Sequence, residues 1–198
     1  MADKKQLLWL KTDPVFCLAS ASPRRLELLA QVGIEPFVYP TDVDETLQQN
    51  EKPKKYARRM ATTKARAGIK SGYDIILAAD TVVVLDGQIL GKPIDKQDAA
   101  VMLGRLSGRK HKVITAIALY LAKSDKIFAK EVKTEVWFKK ISQRQINEYI
   151  ATNEPMDKAG AYGIQGVGAA LVKKINGSYS GVVGLPLFET LQLLINSN

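Results

Sequence analysis

Apolar positions along the chain come in two kinds. Some form short continuous runs and others recur at helical spacing, with Gly, Pro, Asn and Asp between them. The first run, Val15-Phe16-Cys17-Leu18-Ala19, is short and unbroken, as a strand buried on both faces requires. Ser22 and Pro23 follow. Serine is a favoured N-cap and proline suits the first helical position, so a helix is predicted from Pro23 to about Val32, ended by Gly33. Glu35–Tyr39 is predicted as a second strand, followed by an acidic loop over 41–50. Pro53 opens a second helix to about Lys70, with Ala57, Met60, Ala61, Ala65 and Gly68 as its apolar stripe.

The next stretch, Asp74–Ala79, is apolar on both faces after Asp74, which predicts a central strand. Thr81–Leu85 continues extended, Asp86-Gly87 is a two-residue hairpin turn, and Gln88–Leu90 returns from it. A helix is predicted from Asp95, or just after it, through Leu106. His111–Leu121 and Ile127–Phe138 are two long strands rich in Val, Ile, Thr and Tyr. Ser142 and Gln145 form a capping box for a helix to about Thr152. Residues 153–167 read as a glycine-rich loop, and Asn176-Gly177 is predicted to join strands Ala169–Ile175 and Ser178–Val183. Pro186 opens a last helix. Helices interleaved with hairpins imply an α/β fold on a mixed sheet.

Composition narrows the classes. A chain of 198 residues with 46% hydrophobic and 25% charged residues is one globular domain, with residues 1–14 as an N-terminal extension. Cys17 is the single cysteine, so no intramolecular disulfide forms and a reducing cytoplasm is the expected compartment. Met1–Lys11 lacks a signal-peptide core, and no run reaches the ~20 apolar residues of a membrane span. The net charge of +9 implies an anionic partner: phosphate, nucleic acid or an acidic membrane surface.

Where the charges sit refines that choice. Ser20-Ala21-Ser22-Pro23-Arg24-Arg25 places two hydroxyls and two guanidiniums at a helix start, whose free amides favour anions. It reads either as a phosphate site or as a well-capped helix with solvated arginines. Asp80, beside Thr81, ends the central apolar run, where it would hold a metal, deprotonate a water or cap the following turn. Lys64 falls on the apolar stripe of its helix and must snorkel or meet an anion. Lys92, in Gly91-Lys92-Pro93, either folds back beside Asp80 or is a surface lysine. Asp42, Asp44 and Glu45 offer oxygen ligands of the kind Mg²⁺ or Mn²⁺ takes, or form a solvated acidic loop. Gly160–Gly168 is glycine-dense without dinucleotide spacing; it presents Gln165 to a ligand or is a structural turn. His111 has no nucleophile partner legible in the sequence, and Cys17 reads as core.

These motifs occur in a recognisable order: Leu18-Ala-Ser-Ala-Ser-Pro-Arg-Arg25, Asp42-Val-Asp-Glu45, Lys64-Ala65, Ala79-Asp80-Thr81, Gly91-Lys92-Pro93, Leu106-Ser-Gly108 with His111, Glu154–Gly166, Gly177-Ser-Tyr179 and Gly184-Leu-Pro186. Over about residues 15–195 the chain resembles the Maf family of nucleoside triphosphate pyrophosphatases. The resemblance implies a single catalytic domain over 15–198, an elongated mixed sheet with flanking helices and two lobes around a cleft, similar to the inosine triphosphate pyrophosphatases. It implies hydrolysis of a nucleoside triphosphate to monophosphate and pyrophosphate with Mg²⁺, Mn²⁺ or Co²⁺. It makes Asp80 the proton acceptor, assigns Lys64 and Lys92 to the catalytic phosphate cradle with Ser20, Arg24 and Arg25, and places Glu45 with Asp80 at the metal. Arg24, Thr81 and Gln165 correspond to base choice in the subgroup acting on dTTP and UTP, and modified pyrimidine nucleotides stay open as targets.

The competing reading is a nucleic-acid-binding or cell-division regulatory protein that uses the basic surface; the resemblance itself brings in a link to arrest of division. Against it, the positive residues spread over 52–70, 105–112 and 123–140 rather than forming one tail. The expected partner is the nucleotide, with neither membrane nor nucleic acid, and a homodimer is left open.

Overall fold

The computed structural model describes residues 16–196; the extension at 1–14 and Val15 of the first predicted strand lie outside the described residues. Among the described residues, β1 (Cys17–Leu18), β2 (Phe37–Val38), β3 (Ile75–Leu85), β4 (Gln88–Leu90), β5 (Lys110–Leu121), β6 (Lys126–Phe138) and β7 (Val172–Asn176) form one mixed sheet in the order β2-β1-β3-β5-β6-β7, with β4 paired to β3. The chain divides into two compact units, one from residues up to Asp80 with Ala116–Glu131 and Gly184 onward, the other from Thr81–Thr115 and Val132–Val183.

In the first unit, β1 (Cys17–Leu18) runs parallel to β2 (Phe37–Val38) and to β3 (Ile75–Leu85), with Cys17 opposite Phe37 and Ile76. β2 is shorter than the predicted Glu35–Tyr39 because Pro36 and Pro40 bracket it and neither has an N–H for the ladder. α1 (Pro23–Gln31) starts at its proline as expected, and the chain leaves it through Gly33 at φ 75°. Ser22 stands at the N-cap position but its hydroxyl caps nothing; its own N–H donates to Ser20 Oγ at 3.2 Å. α2 (Pro53–Gly68) buries the predicted stripe of Ala57, Met60, Ala61, Ala65 and Gly68. The last of these must be glycine, since a Cβ there would lie 2.7 Å from Ile76 Cγ2 on β3. α6 (Leu187–Asn196) follows Pro186.

In the second unit, Asp86 and Gly87 have φ of 52° and 81° and turn β3 into β4 (Gln88–Leu90), the left-handed pair that a two-residue hairpin needs. α3 (Lys96–Leu106) begins at Asp95, whose carboxylate accepts from the Asp98 N–H at 2.7 Å. β5 (Lys110–Leu121) and β6 (Lys126–Phe138) are adjacent in the sheet, and α4 (Gln143–Ala151) carries the complete Ser142–Gln145 capping box. The glycine-rich stretch folds as three short 3-10 turns, Glu154–Asp157, Ala159–Ala161 and Val167–Leu171. Leu85, Leu103, Leu106, Val136 and Phe138 centre this unit's core.

One predicted hairpin does not form. β7 (Val172–Asn176) pairs antiparallel with β6, and residues after Gly177 enter α5 (Tyr179–Val183) instead of returning as a strand. The Asn-Gly signal sets a sharp turn but not its exit. Thr134 of β6 takes the exit, accepting from the Ser178 N–H at 2.9 Å and donating to the Ser178 carbonyl at 3.2 Å. Gly177, at φ 129°, comes so close that a Cβ would lie 2.8 Å from Thr134 Oγ1.

Candidate active site

Asp80 does not end a strand. It lies near the middle of the eleven-residue β3, so the turn-capping alternative falls away. Its side chain is 10% exposed, and Oδ1 accepts from Lys64 Nζ at 2.7 Å. Lys64 thus resolves as the lysine that meets an anion; its position along the buried stripe of α2 brings the ammonium to β3 rather than to water. The same ammonium lies 2.7 Å from Glu45 Oε1, so two carboxylates converge on one cation. Burial raises the Asp80 pKa, Lys64 and Arg25 oppose that rise, and the Glu45 charge adds to it.

Glu45 is held through its backbone, whose carbonyl accepts from Tyr56 Oη on α2 at 2.8 Å. Arg59, one turn on, reaches the Thr46 carbonyl and both oxygens of Glu51, which fastens the loop to α2. The other acidic residues do not join Glu45. Asp44 accepts from the Thr46 N–H at 2.9 Å, closing its own turn, and Asp42 is exposed.

The segment before α1 is built around Arg25. Its Nε donates to the Gly184 carbonyl at 3.0 Å and its Nη1 to Ser20 Oγ at 2.7 Å. Burial pushes this guanidinium's pKa down, against the pull of Asp80 and Glu45. Ser20 is buried and accepts from both Arg25 and the Ser22 N–H. With both lone pairs engaged, its hydroxyl is left as a donor, which suits an anionic oxygen. Arg24, on the first turn of α1, is partly buried.

Three predicted site residues belong to the second unit. Thr81 is partly buried, and its Oγ1 lies 2.9 Å from Thr115 Oγ1. Lys92 is exposed after β4, with the neighbouring Gly91 carbonyl accepting from the Gly160 N–H at 2.9 Å. Gln165 is exposed, as is Gly166 after it, while Ile164 before it is buried.

Sequence reasoning assigned no role to the group that shapes the Gln165 loop. Glu154 accepts from the Val167 N–H at 2.8 Å, the Gly168 N–H at 3.0 Å and Tyr149 Oη at 2.8 Å. Tyr149 Oη in turn accepts from the Gly163 N–H at 3.1 Å, so both flanks of Gln165 hang on one carboxylate–phenol pair. A Cβ on Gly166 would overlap the Glu154 carboxylate, which accounts for the glycine. The place of Glu154 at the head of the Glu154–Gly166 motif was the available signal; the spacing alone shows neither acceptor count nor burial.

Among the described residues, no group of three or more His, Cys, Asp and Glu side chains gathers as a metal cluster. Asp80 and Glu45 nevertheless fit a divalent cation shared with substrate. They are hard oxygen donors already converging on one positive nitrogen, and Mg²⁺ is commonly held by one or two carboxylates plus substrate phosphates. Cys17 is buried with its thiol pKa raised by burial, as a core residue should be. His111 is 2% exposed, 2.8 Å from Tyr162 Oη and edge-on to Phe138 and Tyr162, again a core position. Part of the positive surface is matched by acids: Arg58 and Lys54 pair with Glu131, Arg109 with Asp86 and Lys110 with Glu135. No helix is long and apolar enough to cross a membrane among the described residues.

The family model described as Maf-like protein matches residues 15–197. The chain is 51% identical over 185 residues to the dTTP/UTP pyrophosphatase of Pseudoalteromonas translucida (strain TAC 125), covering 92% of this chain and 96% of that protein. It is 50% identical over 183 residues to the dTTP/UTP pyrophosphatase of Escherichia coli (strain K12), covering 91% and 92%. The dTTP/UTP pyrophosphatase of Symbiobacterium thermophilum is 51% identical over 178 residues, covering 89% and 91%. Among solved structures, the nucleoside-triphosphatase / dITP/XTP pyrophosphatase of Mycobacterium abscessus matches 63% of this chain and 74% of its own at 20% identity and a TM-score of 0.46.

Proposed function

The chain belongs to the Maf-like protein family, and from that premise we propose that it hydrolyses dTTP and UTP to the nucleoside monophosphate and pyrophosphate. Relatives at about half identity over nearly their whole length carry that activity in their names. The observation that carries the reading within this chain is the nearly buried pair between Lys64 of α2 and Asp80 in the middle of β3. A lysine and a carboxylate taken out of water together cost several kcal/mol per ion before their attraction is counted, which a purely structural strand has no need to bear.

The triphosphate carries about four negative charges, and Ser20, Arg24, Arg25, Lys64 and Lys92 are assigned to receive them. Ser20 donates its remaining proton to a phosphate oxygen, and Arg25 is held rigid for the same task by Gly184 and Ser20. Asp80 accepts a proton from the attacking water. The water oxygen bonds to phosphorus, the anhydride P–O bond between the α- and β-phosphates breaks, and pyrophosphate leaves with the electron pair. Burial makes Asp80 a stronger base than an exposed aspartate, which favours that transfer. Asp80 and Glu45 would hold the divalent cation, Mg²⁺, Mn²⁺ or Co²⁺, which when bound neutralises phosphate charge and polarises the phosphoryl group.

Gln165, Thr81 and Arg24 are assigned to the base. An amide offers one donor and one acceptor face, which suits a pyrimidine edge, and Glu154 holds the loop that presents it. The proposed compartment is the cytoplasm, where the nucleotide pool lies and where a single buried cysteine needs no partner. The test is pyrophosphate release across all ribo- and deoxynucleoside triphosphates and modified pyrimidine triphosphates, with each metal. Turnover of dTTP and UTP with pyrophosphate as product is expected; orthophosphate alone, or no turnover, overturns the reading.

A further inference from the structure

Thr81 and Thr115 sit with their hydroxyl oxygens 2.9 Å apart, close enough that one proton lies between them. Thr115 is 1% exposed on β5, and its Oγ1 is also 2.7 Å from the Gly181 carbonyl. A carbonyl only accepts, and a hydroxyl has a single proton. Thr115 therefore spends its proton on Gly181, and the proton between the two threonines belongs to Thr81. The chain of donation runs from Thr81 to Thr115 to Gly181 and does not reverse.

We propose that Thr115 is a positioning residue that fixes Thr81 as an acceptor, and that this sets the protein's preference for a pyrimidine bearing a ring N–H. The inference rests on the assignment of Thr81 to the base. Thymine and uracil share one ring-edge donor, the N3–H; their carbonyls only accept. A hydroxyl locked as acceptor pairs with that N–H. Cytosine presents a bare N3 lone pair at the same position, so it would meet Thr81 lone pair to lone pair. A freely rotating threonine would serve either base. The selectivity thus depends on Thr115, whose buried side chain need not touch the nucleotide.

The experiment compares kcat/KM for UTP and CTP in the parent, Thr115→Val and Thr115→Ser. Valine keeps the shape and removes the hydroxyl, which frees the Thr81 proton to rotate toward a base. The expected result is a gain in CTP turnover with UTP largely kept, lowering the UTP-to-CTP ratio by about 10- to 100-fold, the range for one unpaired polar group. Thr115→Ser keeps the relay and should keep the parental ratio. A general packing defect would instead lower both substrates together, and that outcome overturns the proposal, as does an unchanged or raised ratio. Should Thr115→Val fail to fold, Thr115→Cys decides: it keeps the volume and offers only a weak donor, and the ratio should move the same way. A parent that turns over neither UTP nor dTTP refutes the proposed activity itself, separately from the role of Thr115.

Discussion

Lys64 Nζ and Asp80 Oδ1 lie 2.7 Å apart with both side chains nearly buried, and the same Nζ lies 2.7 Å from Glu45. One ammonium therefore offsets the repulsion between two carboxylates. The two partners should be separable by mutation. Asp80→Asn preserves the side chain's shape but cannot take a proton from water, so turnover should fall by roughly a hundred- to ten-thousand-fold while nucleotide affinity is largely kept. Lys64→Ala removes charge felt by ground and transition states alike, so affinity and turnover should fall together. Dissociation constants for a non-hydrolysable dTTP analogue, read beside turnover numbers, check the contrast. Near-parental turnover in Asp80→Asn would leave the residue a structural one. Complete loss of analogue binding would make it a metal holder rather than a base.

The same environment sets the acid limb of the pH–rate profile. Burial raises the Asp80 pKa, so activity should decline on acidification at a pH above the ~3.9 of an ordinary aspartate. Lys64 opposes the rise, so Lys64→Met should move the residual activity's acid limb to still higher pH. The sign for stability follows: a carboxyl whose folded pKa is raised stabilises fully below its unfolded pKa, and that contribution is lost as pH rises through the folded value. A limb that stays put in Lys64→Met would separate Asp80 from the observed ionisation.

Glu154 is expected to govern selectivity without touching phosphate chemistry. Glu154→Gln puts an NH₂ where an oxygen now accepts from the backbone; turned toward the buried Gly168 it leaves that N–H unpaired at a cost of about 1–3 kcal/mol, and turned toward exposed Val167 it releases that N–H to water. Gln165 would lose its fixed place, so the ratio of dTTP to GTP hydrolysis should drop in Glu154→Gln, and Gln165→Ala should lower it in the same way. Gly166→Ala, whose Cβ would overlap the carboxylate, should behave alike. The check is the ratio of kcat/KM values together with a thermal melt; a lowered melting temperature at unchanged selectivity would make the clamp purely structural.

His111 should make the fold acid-sensitive. Burial lowers its pKa from 6.5 to about 4, so the unfolded chain takes up the proton first. Stability from this residue is present above pH 6.5 and is lost as pH falls from there toward 4. The loss is on the order of 3 kcal/mol. Urea unfolding across that window should show the slope in the parent and a weaker one in His111→Phe. An equal slope in both would place the titration elsewhere.

What the sequence determined by itself is what neighbouring residues control. The Ser142–Gln145 box closes within one helical turn, Asp95 caps α3, and Asp86-Gly87 supplies the two left-handed residues its hairpin needs. The buried stripe of α2 follows from helical periodicity, and it already placed Lys64 on the inward face. The order of the motifs along the chain likewise identifies the family without reference to geometry. Tertiary structure decided which alternatives hold. That Lys64 meets Asp80, 16 residues on, depends on α2 packing against β3 closely enough to demand Gly68. The exit of the Asn176-Gly177 turn was decided by β6: β7 fills its edge, and Thr134 captures Ser178 from 44 residues away. The sense of the Thr81 hydroxyl is set by Gly181, 66 residues beyond Thr115. Hydrogen-bond direction depends on which acceptor lies next in space, and a chain read residue by residue does not contain that neighbour.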